Sequence, residues 1–455
     1  MLHTNTEFLY AEIMDVIRLF NAEGEEFTHY FSYSNGEYYN CIEYGGNFYD
    51  STNVQTTENE LEFKRYAKRF GKLAFYNLLS ARTGTAMPYG ALTGIRPTKL
   101  AYTELSAGRD YKELFKECKV TDENTRLVER ILEVQKPYYA NKGGQDLFIS
   151  LPFCPTKCEY CSFITAPISA TRAYVESYVD CLVKEVQSVK GILTDIKSIY
   201  IGGGTPFTVD EKQLTRIYAS INALNLKKCE YTVEAGRPDT FTDEKLKISK
   251  DFGVSRICVN PQTFNDETLV KIGRKHTSED MYRAYEMAKK YGFDINIDLI
   301  AGLTDETLDD FAKSLKQAID LDPANITVHV LSLKSGARLK ENCERLFIKD
   351  IGEMIALSRE ELTKAGYRPY YVYRQKYQAG GHENCGWAKP GKECVYNIDV
   401  MEEIADNVAV GANAISKRVF AQEERIERCA SPKDIPTYIA KVDKIIEERN
   451  KLFGI

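Results

Sequence analysis

From residue 145 onward the chain repeats one rhythm, a short β-rich run followed by an amphipathic stretch. The runs are DLFIS, KSIYIGG, EYTVEA, SRICVN, FDINIDLI and NITVHVL. Between them lie stretches such as RAYVESYVDCLVKEVQSV and EDMYRAYEMAKKYG, whose apolar residues recur at helical spacing. Strands that alternate with helices pair in parallel and carry the helices on the outside. Six such units suit an open, partial (β/α)6 barrel in the α/β class, spanning residues 145–345.

The flanking regions read differently. Residues 1–144 look like an N-terminal α+β domain. FTHYFSYS and EYYNCIEY alternate in character around Asn35-Gly36, a strong hairpin turn signal. Helical patterns run from about Leu61 to Leu79 and from about Glu123 to Gln135. Between them, YGALTGIRPTKL reads as a loop and helix start, with Arg96 and Lys99 as either solvated charges or an anion grip. Lys142-Gly143-Gly144 marks the boundary. Residues 346–455 form a C-terminal α+β extension on the substrate side: a helix, the strand-like RPYYVYRQ, a Gly-rich loop, VAVGANAISKRVF and a terminal helix.

A barrel of this kind keeps its active site at the C-terminal ends of its strands. SLPFCPTKCEYCSF directly follows the first strand and IYIGGGTPF ends the second. Glu234 ends the third, Asn260 and Gln262 the fourth, and Asn296 and Asp298 share one face of the fifth. Buried parallel strands should be nearly continuous apolar runs. Polar groups at this many strand ends need a polar ligand or a network to satisfy them.

The cysteine loop carries Cys154, Cys158 and Cys161 and supplies no fourth thiol. A closed zinc site takes four ligands, and an electron-transfer cluster normally takes four cysteines. Three thiolates holding a cubane [4Fe–4S] cluster leave one iron without a protein ligand, a corner open to a substrate or cofactor. Zinc completed by a distant Cys or His is the alternative reading. Cys181, Cys229, Cys258 and Cys343 look like core positions. Cys385 and Cys394 share a loop and read as spectators. Gly202-Gly203-Gly204-Thr205-Pro206 lacks the Lys-Ser/Thr of a phosphate loop. Its glycines would let backbone approach a ligand such as an amino-acid moiety.

The bulk numbers narrow the partners. A net charge of −6 offers no broad basic footprint, so no nucleic-acid partner is expected. No apolar run approaches the length of a membrane span. Glu7, Glu12 and Asp15 interrupt the start where a signal peptide would be apolar. Twelve cysteines in 455 residues are no disulfide framework. A cytoplasmic location, with thiols reduced and able to hold metal, is expected.

With the cysteine loop and the GGGTP turn in this order, the chain resembles the radical S-adenosylmethionine (SAM) superfamily. PFCPTKCEYCSF, IYIGGGTPF, VNPQTFNDETLVKIGR and INIDLIAGL resemble segments of its oxygen-independent coproporphyrinogen III dehydrogenase family. The long N-terminal region, YGALTGIRPTKL and YYVYRQK point to the HemZ-type branch. The resemblance implies a [4Fe–4S] cluster on Cys154, Cys158 and Cys161, and SAM on its open iron. It implies that Gly203, Gly204 and Thr205 meet the methionyl amino group and Arg274 the carboxylate. Gln262 and Asp298 would bind the ribose hydroxyls, Tyr160 and Ser332 would lie near the adenine, and Glu234 would face this SAM or a second one. It implies a tetrapyrrole substrate, a reduced flavodoxin or ferredoxin-type electron donor, and oxidative decarboxylation of two propionates in haem biosynthesis. No catalytic residue of the substrate chemistry is implied.

Two positions depart from the family pattern. Phe163 stands where well-known members have a fourth Cys, and Gly302-Leu303-Thr304 replaces a GLP turn. A related branch delivers haem, and its mark is a His-Asn pair after an A-x-P-G turn. Here Ala388-Lys389-Pro390-Gly391 is followed by Tyr396-Asn397, so the haem-ligating His is missing; His382 lies nearby. A radical methylase acting on a small molecule, including one that releases iron from haem, is a third reading.

Overall fold

The structure, a computed structural model, describes residues 1–94, 96–332, 348–375, 379–423 and 425–455. Cys343 and the expected boundary near residue 345 lie outside the described residues. The chain divides into two compact units, Met1–Glu129 with Tyr373–Glu383, and Arg130–Val372 with Asn384–Ile455.

In the first unit, β1 (Leu2–Thr4), β2 (Phe27–Ser34), β3 (Glu37–Tyr44) and β4 (Asn47–Val54) form one sheet in that order. Ser34 pairs with Glu37, and the two residues between them, Asn35 at φ 51 and Gly36 at φ 84, adopt the left-handed conformations that a two-residue hairpin loop requires. Helices Glu7–Leu19 and Glu60–Thr83 cover one face through a core that includes Leu9, Ile13, Phe27, Tyr38 and Phe75. YGALTG belongs to this unit. The guanidinium of Arg374 lies 4.4 Å from the Tyr89 ring centroid and donates to the carbonyls of Leu92 and Gly381. Arg96 is half-buried at the N-cap of the helix Pro97–Ser106, which starts on a proline suited to that position.

The second unit is built on one sheet. Its parallel strands are β5 (Gln145–Leu151), β8 (Ile196–Gly203), β9 (Glu230–Gly236), β10 (Arg256–Val259), β11 (Asp294–Ala301) and β12 (Asn325–Val330). They follow one another in sheet order and chain order alike, each pair parallel. This is the partial barrel expected from the βα rhythm. The short β6 (Phe153–Cys154) and β7 (Ala166–Pro167) pair across the cysteine loop.

The sheet continues beyond the six strands on both sides. At one edge β13 (Arg368–Tyr373) and β14 (Asn384–Ala388) follow, with β14 antiparallel to β12. At the other edge β15 (Asp406–Val410) pairs in parallel with β5, followed by β16 (Ile415–Phe420) and β17 (Arg425–Ala430). Cys385 and Cys394 do not share a loop. Cys385 lies within β14, while Cys394 caps the helix Val395–Glu402 and donates its thiol to Glu230 at 3.2 Å.

The helix Val395–Glu402 closes the barrel floor. Tyr396 stacks on Tyr200 at 4.4 Å between ring centroids and on Phe148 at 6.0 Å. Glu230 accepts the backbone N–H of Val395 at 3.1 Å, a carboxylate at a helix N-terminus. Lys197 pairs with the buried Asp399 at 2.7 Å, and Arg256 pairs with Glu230 at 3.1 Å. Asp146, buried beside Asp399, is pushed well above the usual carboxylate range, chiefly by that burial.

Candidate active site at the strand ends

The cysteine loop is held against the turn that ends the helix Asp266–Lys271. The Glu159 N–H donates to the Ile272 carbonyl at 3.0 Å, and the Thr156 hydroxyl to the Gly273 carbonyl at 3.3 Å. On its other side lies the glycine turn after β8. Gly204 N–H donates to Leu151 O and Thr205 N–H to Phe153 O, both at 2.7 Å. The Thr205 hydroxyl faces the Cys154 sulfur at 3.6 Å. A Cβ on Gly204 would stand 2.5 Å from the Phe153 carbonyl oxygen. Gly204 is therefore required by the close approach of two loops.

Cys158 is buried, and Cys154 and Cys161 are half-buried. Burial pushes the Cys161 thiol up to about 11, with the thiols of Cys158 and Cys154 adding to the effect. Burial also raises Cys154, again with Cys158 as a contributor. The three sulfurs thus lie within electrostatic reach of one another. Among the described residues no three His, Cys, Asp or Glu side chains gather around a single-ion site. A cubane binds each thiolate through a different iron, so its cysteines need not converge on one point.

Tyr160, inside the same loop, packs against an apolar cluster of Leu269, Ile272, Ile300, Leu303 and Leu331. Its hydroxyl accepts from Arg274 at 2.9 Å, and Arg274 also donates to the Asn260 carbonyl at 2.5 Å. Gln262 holds a left-handed backbone at φ 74 and bridges to β11: its N–H donates to Asp298 O, and its carbonyl accepts from Ile300 N–H. A non-glycine residue in that conformation is uncommon and stores strain.

Asp298 and Asn296 share a face as expected. Asn296 Nδ2 donates to Asp298 Oδ1 at 2.8 Å, and His329 Nε2 on β12 stands 3.7 Å from Asp298 Oδ2. Glu234, on β9, is pushed up to about 8, first by burial and then by the charge of Asp298; the Gly203 N–H opposes the rise. At neutral pH it keeps its proton and can donate a hydrogen bond. Ser332 follows β12 by two residues, after Leu331 N–H has bonded to Ala301 O at 3.0 Å.

Several buried polar atoms here have no partner among the described residues: Asn260 Oδ1, Gln262 Oε1, Arg274 Nε and both ring nitrogens of His276. Each such orphan costs about 1–3 kcal/mol. A polar guest at the strand ends would relieve that cost at the first three. The residues present therefore fit the implied groups: three thiols for a cluster with an open iron, and polar side chains beside an apolar wall for SAM. Sequence reasoning missed His276 and Arg237. The Arg-Pro-Asp that follows β9 was the available signal, since a charged pair two residues apart directly after a barrel strand must be satisfied locally.

A family model of the radical SAM superfamily matches residues 148–318. The chain is 35% identical over 413 residues to the oxygen-independent coproporphyrinogen-III oxidase-like protein HemZ of Bacillus subtilis (strain 168), covering 86% of this chain and 82% of that one. It is 37% identical over 260 residues to the heme chaperone HemW of the same organism, covering 55% of this chain and 65% of that protein. Among solved structures it is similar to the coproporphyrinogen III oxidase HemN from Escherichia coli, with a TM-score of 0.55, 20% identity, and coverage of 69% and 72% of the two chains. That likeness shows the fold.

Proposed function

The chain belongs to the radical SAM superfamily, within the oxygen-independent coproporphyrinogen-III oxidase-like family, and on that premise we propose that it oxidatively decarboxylates coproporphyrinogen III to protoporphyrinogen IX. The superfamily's cofactors are a [4Fe–4S] cluster and SAM. When bound, they supply a one-electron cleavage of SAM whose carbon radical takes a hydrogen atom from the substrate. Cys154, Cys158 and Cys161 would hold the cluster. Arg274 presents a permanent cation suited to the SAM carboxylate. Asp298, already fixed through one oxygen by Asn296, keeps acceptor capacity for ribose hydroxyls. Tyr160 and its apolar neighbours offer a wall for the adenine, with Ser332 nearby. Gln262 would share the ribose, and the Gly203–Thr205 backbone would face the methionyl end. Glu234, pushed up to about 8 by burial and the charge of Asp298, would face this SAM or a second one. A reduced flavodoxin or ferredoxin-type protein would supply the electron. Among the described residues no helix is long and apolar enough to cross a membrane.

The observation that carries synthesis over delivery is the placement of Tyr396. The position where a haem carrier would need a free ligand holds a ring buried in the barrel floor against Tyr200. The 37% identity to a heme chaperone keeps haem carriage as the second reading. One set of measurements separates them. Anaerobically reconstituted protein should cleave SAM, lose that activity in Cys158→Ala, and keep it in Cys181→Ala. Haem titration should give no defined His-ligated spectrum. Tight stoichiometric haem binding that disappears in His382→Ala, with no vinyl product formed from coproporphyrinogen III, would overturn the proposal in favour of carriage.

A further inference from the structure

Two buried guanidinium groups lie behind the cysteine loop. Arg237 follows Gly236 directly after β9 and is 2% exposed. Its Nη1 donates to Thr156 Oγ1 at 2.5 Å, midway in sequence between Cys154 and Cys158. Its Nε and Nη2 donate to the two oxygens of Asp239 at 2.9 and 2.7 Å, a bidentate pair. Arg274 holds the other end of the loop through Tyr160. His276 lies in the same field. It is driven down to about 3, first by burial and then by Arg274 and Arg237, so it adds no charge at neutral pH. Asp239 is the carboxylate paired to Arg237, and Arg274 stands as a second buried cation behind the loop.

A cluster bound through thiolates becomes more negative by one unit on reduction. A cation fixed beside it in a low-dielectric setting favours the reduced form, because charge and hydrogen bonding around a cluster set its potential. From this geometry we infer that Arg237 sets the reduction potential of the cluster on this loop, with Asp239 as the counter-charge that tempers it. Arg237 is a positioning and tuning residue; it touches the loop and not the reacting atoms. The inference rests on Cys154, Cys158 and Cys161 being the cluster ligands.

Charge predicts opposite signs for the two partners, which a purely structural role does not. The test is an anaerobic redox titration of the reconstituted full chain without SAM, followed by electron paramagnetic resonance, with iron and sulfide assayed on the same samples. Arg237→Gln should make the cluster harder to reduce, lowering the reduced-to-oxidised ratio about tenfold at a fixed potential. Asp239→Asn should make it easier to reduce, and Arg237→Lys should fall nearer wild type than Arg237→Gln. If Arg237→Gln fails to retain iron, Asp239→Asn decides alone. An unchanged potential in Asp239→Asn, or shifts of the same sign in Arg237→Gln and Asp239→Asn, overturns the inference while the iron content leaves the cluster assignment standing. A wild-type chain that takes up no iron overturns both.

Discussion

The ring of Tyr396 lies 4.4 Å from that of Tyr200 with 21° between their planes, which makes Tyr396 part of the barrel floor. Removing a buried aromatic ring costs about 3–5 kcal/mol through lost burial and the cavity left behind. Tyr396→Ala should therefore lower thermal stability clearly, and Tyr396→Phe, which keeps the ring, much less. Equal melting temperatures for Tyr396→Ala and wild type would show that the floor does not depend on this ring.

Asp298 sits on a strand that should be apolar and carries Asn296 on one oxygen. Charge-assisted hydrogen bonds are worth about 1.5–3 kcal/mol each. Asp298→Ala should weaken SAM binding by at least about tenfold, measured by equilibrium dialysis, while the absorbance of the cluster persists. Unchanged affinity would assign Asp298 to the structural polar network of the barrel.

Burial and the charge of Asp298 raise the pKa of Glu234 in the folded chain to about 8, from an ordinary 4.5. The native chain then holds a proton that the unfolded chain has lost, and native stability falls as pH rises between those two values. Glu234→Gln carries no such proton. Its stability relative to wild type should rise with pH from about 5 to about 8, by at most ~1.4 kcal/mol per pH unit, and level off above. A difference that does not change with pH in denaturant titrations would contradict the buried, protonated state.

Gly204 is fixed by backbone on the opposite loop, with Leu151 O 2.8 Å and Phe153 O 2.5 Å from where a Cβ would stand. Neither neighbour can rotate away. Gly204→Ala should displace the start of the cysteine loop and reduce iron retained per chain after desalting. Full iron retention would mean that the loops separate without cost to the cluster.

Much of this architecture is legible in the sequence, because hydrophobic period and turn chemistry are local. DLFIS, KSIYIGG and the four later runs fall within or nearly match the six parallel strands, and Asn35-Gly36 turns the hairpin. Asn296 and Asp298 share a face because a strand alternates strictly. What escaped is non-local. VAVGANAISKRVF becomes β15, which lies beside β5, and β16, which lies beside β15; the β5–β15 pairing spans more than 250 residues and no period encodes it. The left-handed backbone of Gln262 and the grip of Arg237 on Thr156 likewise arise from segments far apart in sequence, and neither residue type announces them.

Synthesis of protoporphyrinogen IX is tested most directly by anaerobic turnover. The reconstituted full chain is given SAM, a low-potential reductant, an electron acceptor and coproporphyrinogen III, and its porphyrin products are read by mass spectrometry. Two successive losses of carbon dioxide are predicted, with a monovinyl intermediate preceding the divinyl product and deoxyadenosine formed alongside. Deoxyadenosine released without any vinyl product would contradict the assigned substrate and leave only the radical chemistry standing.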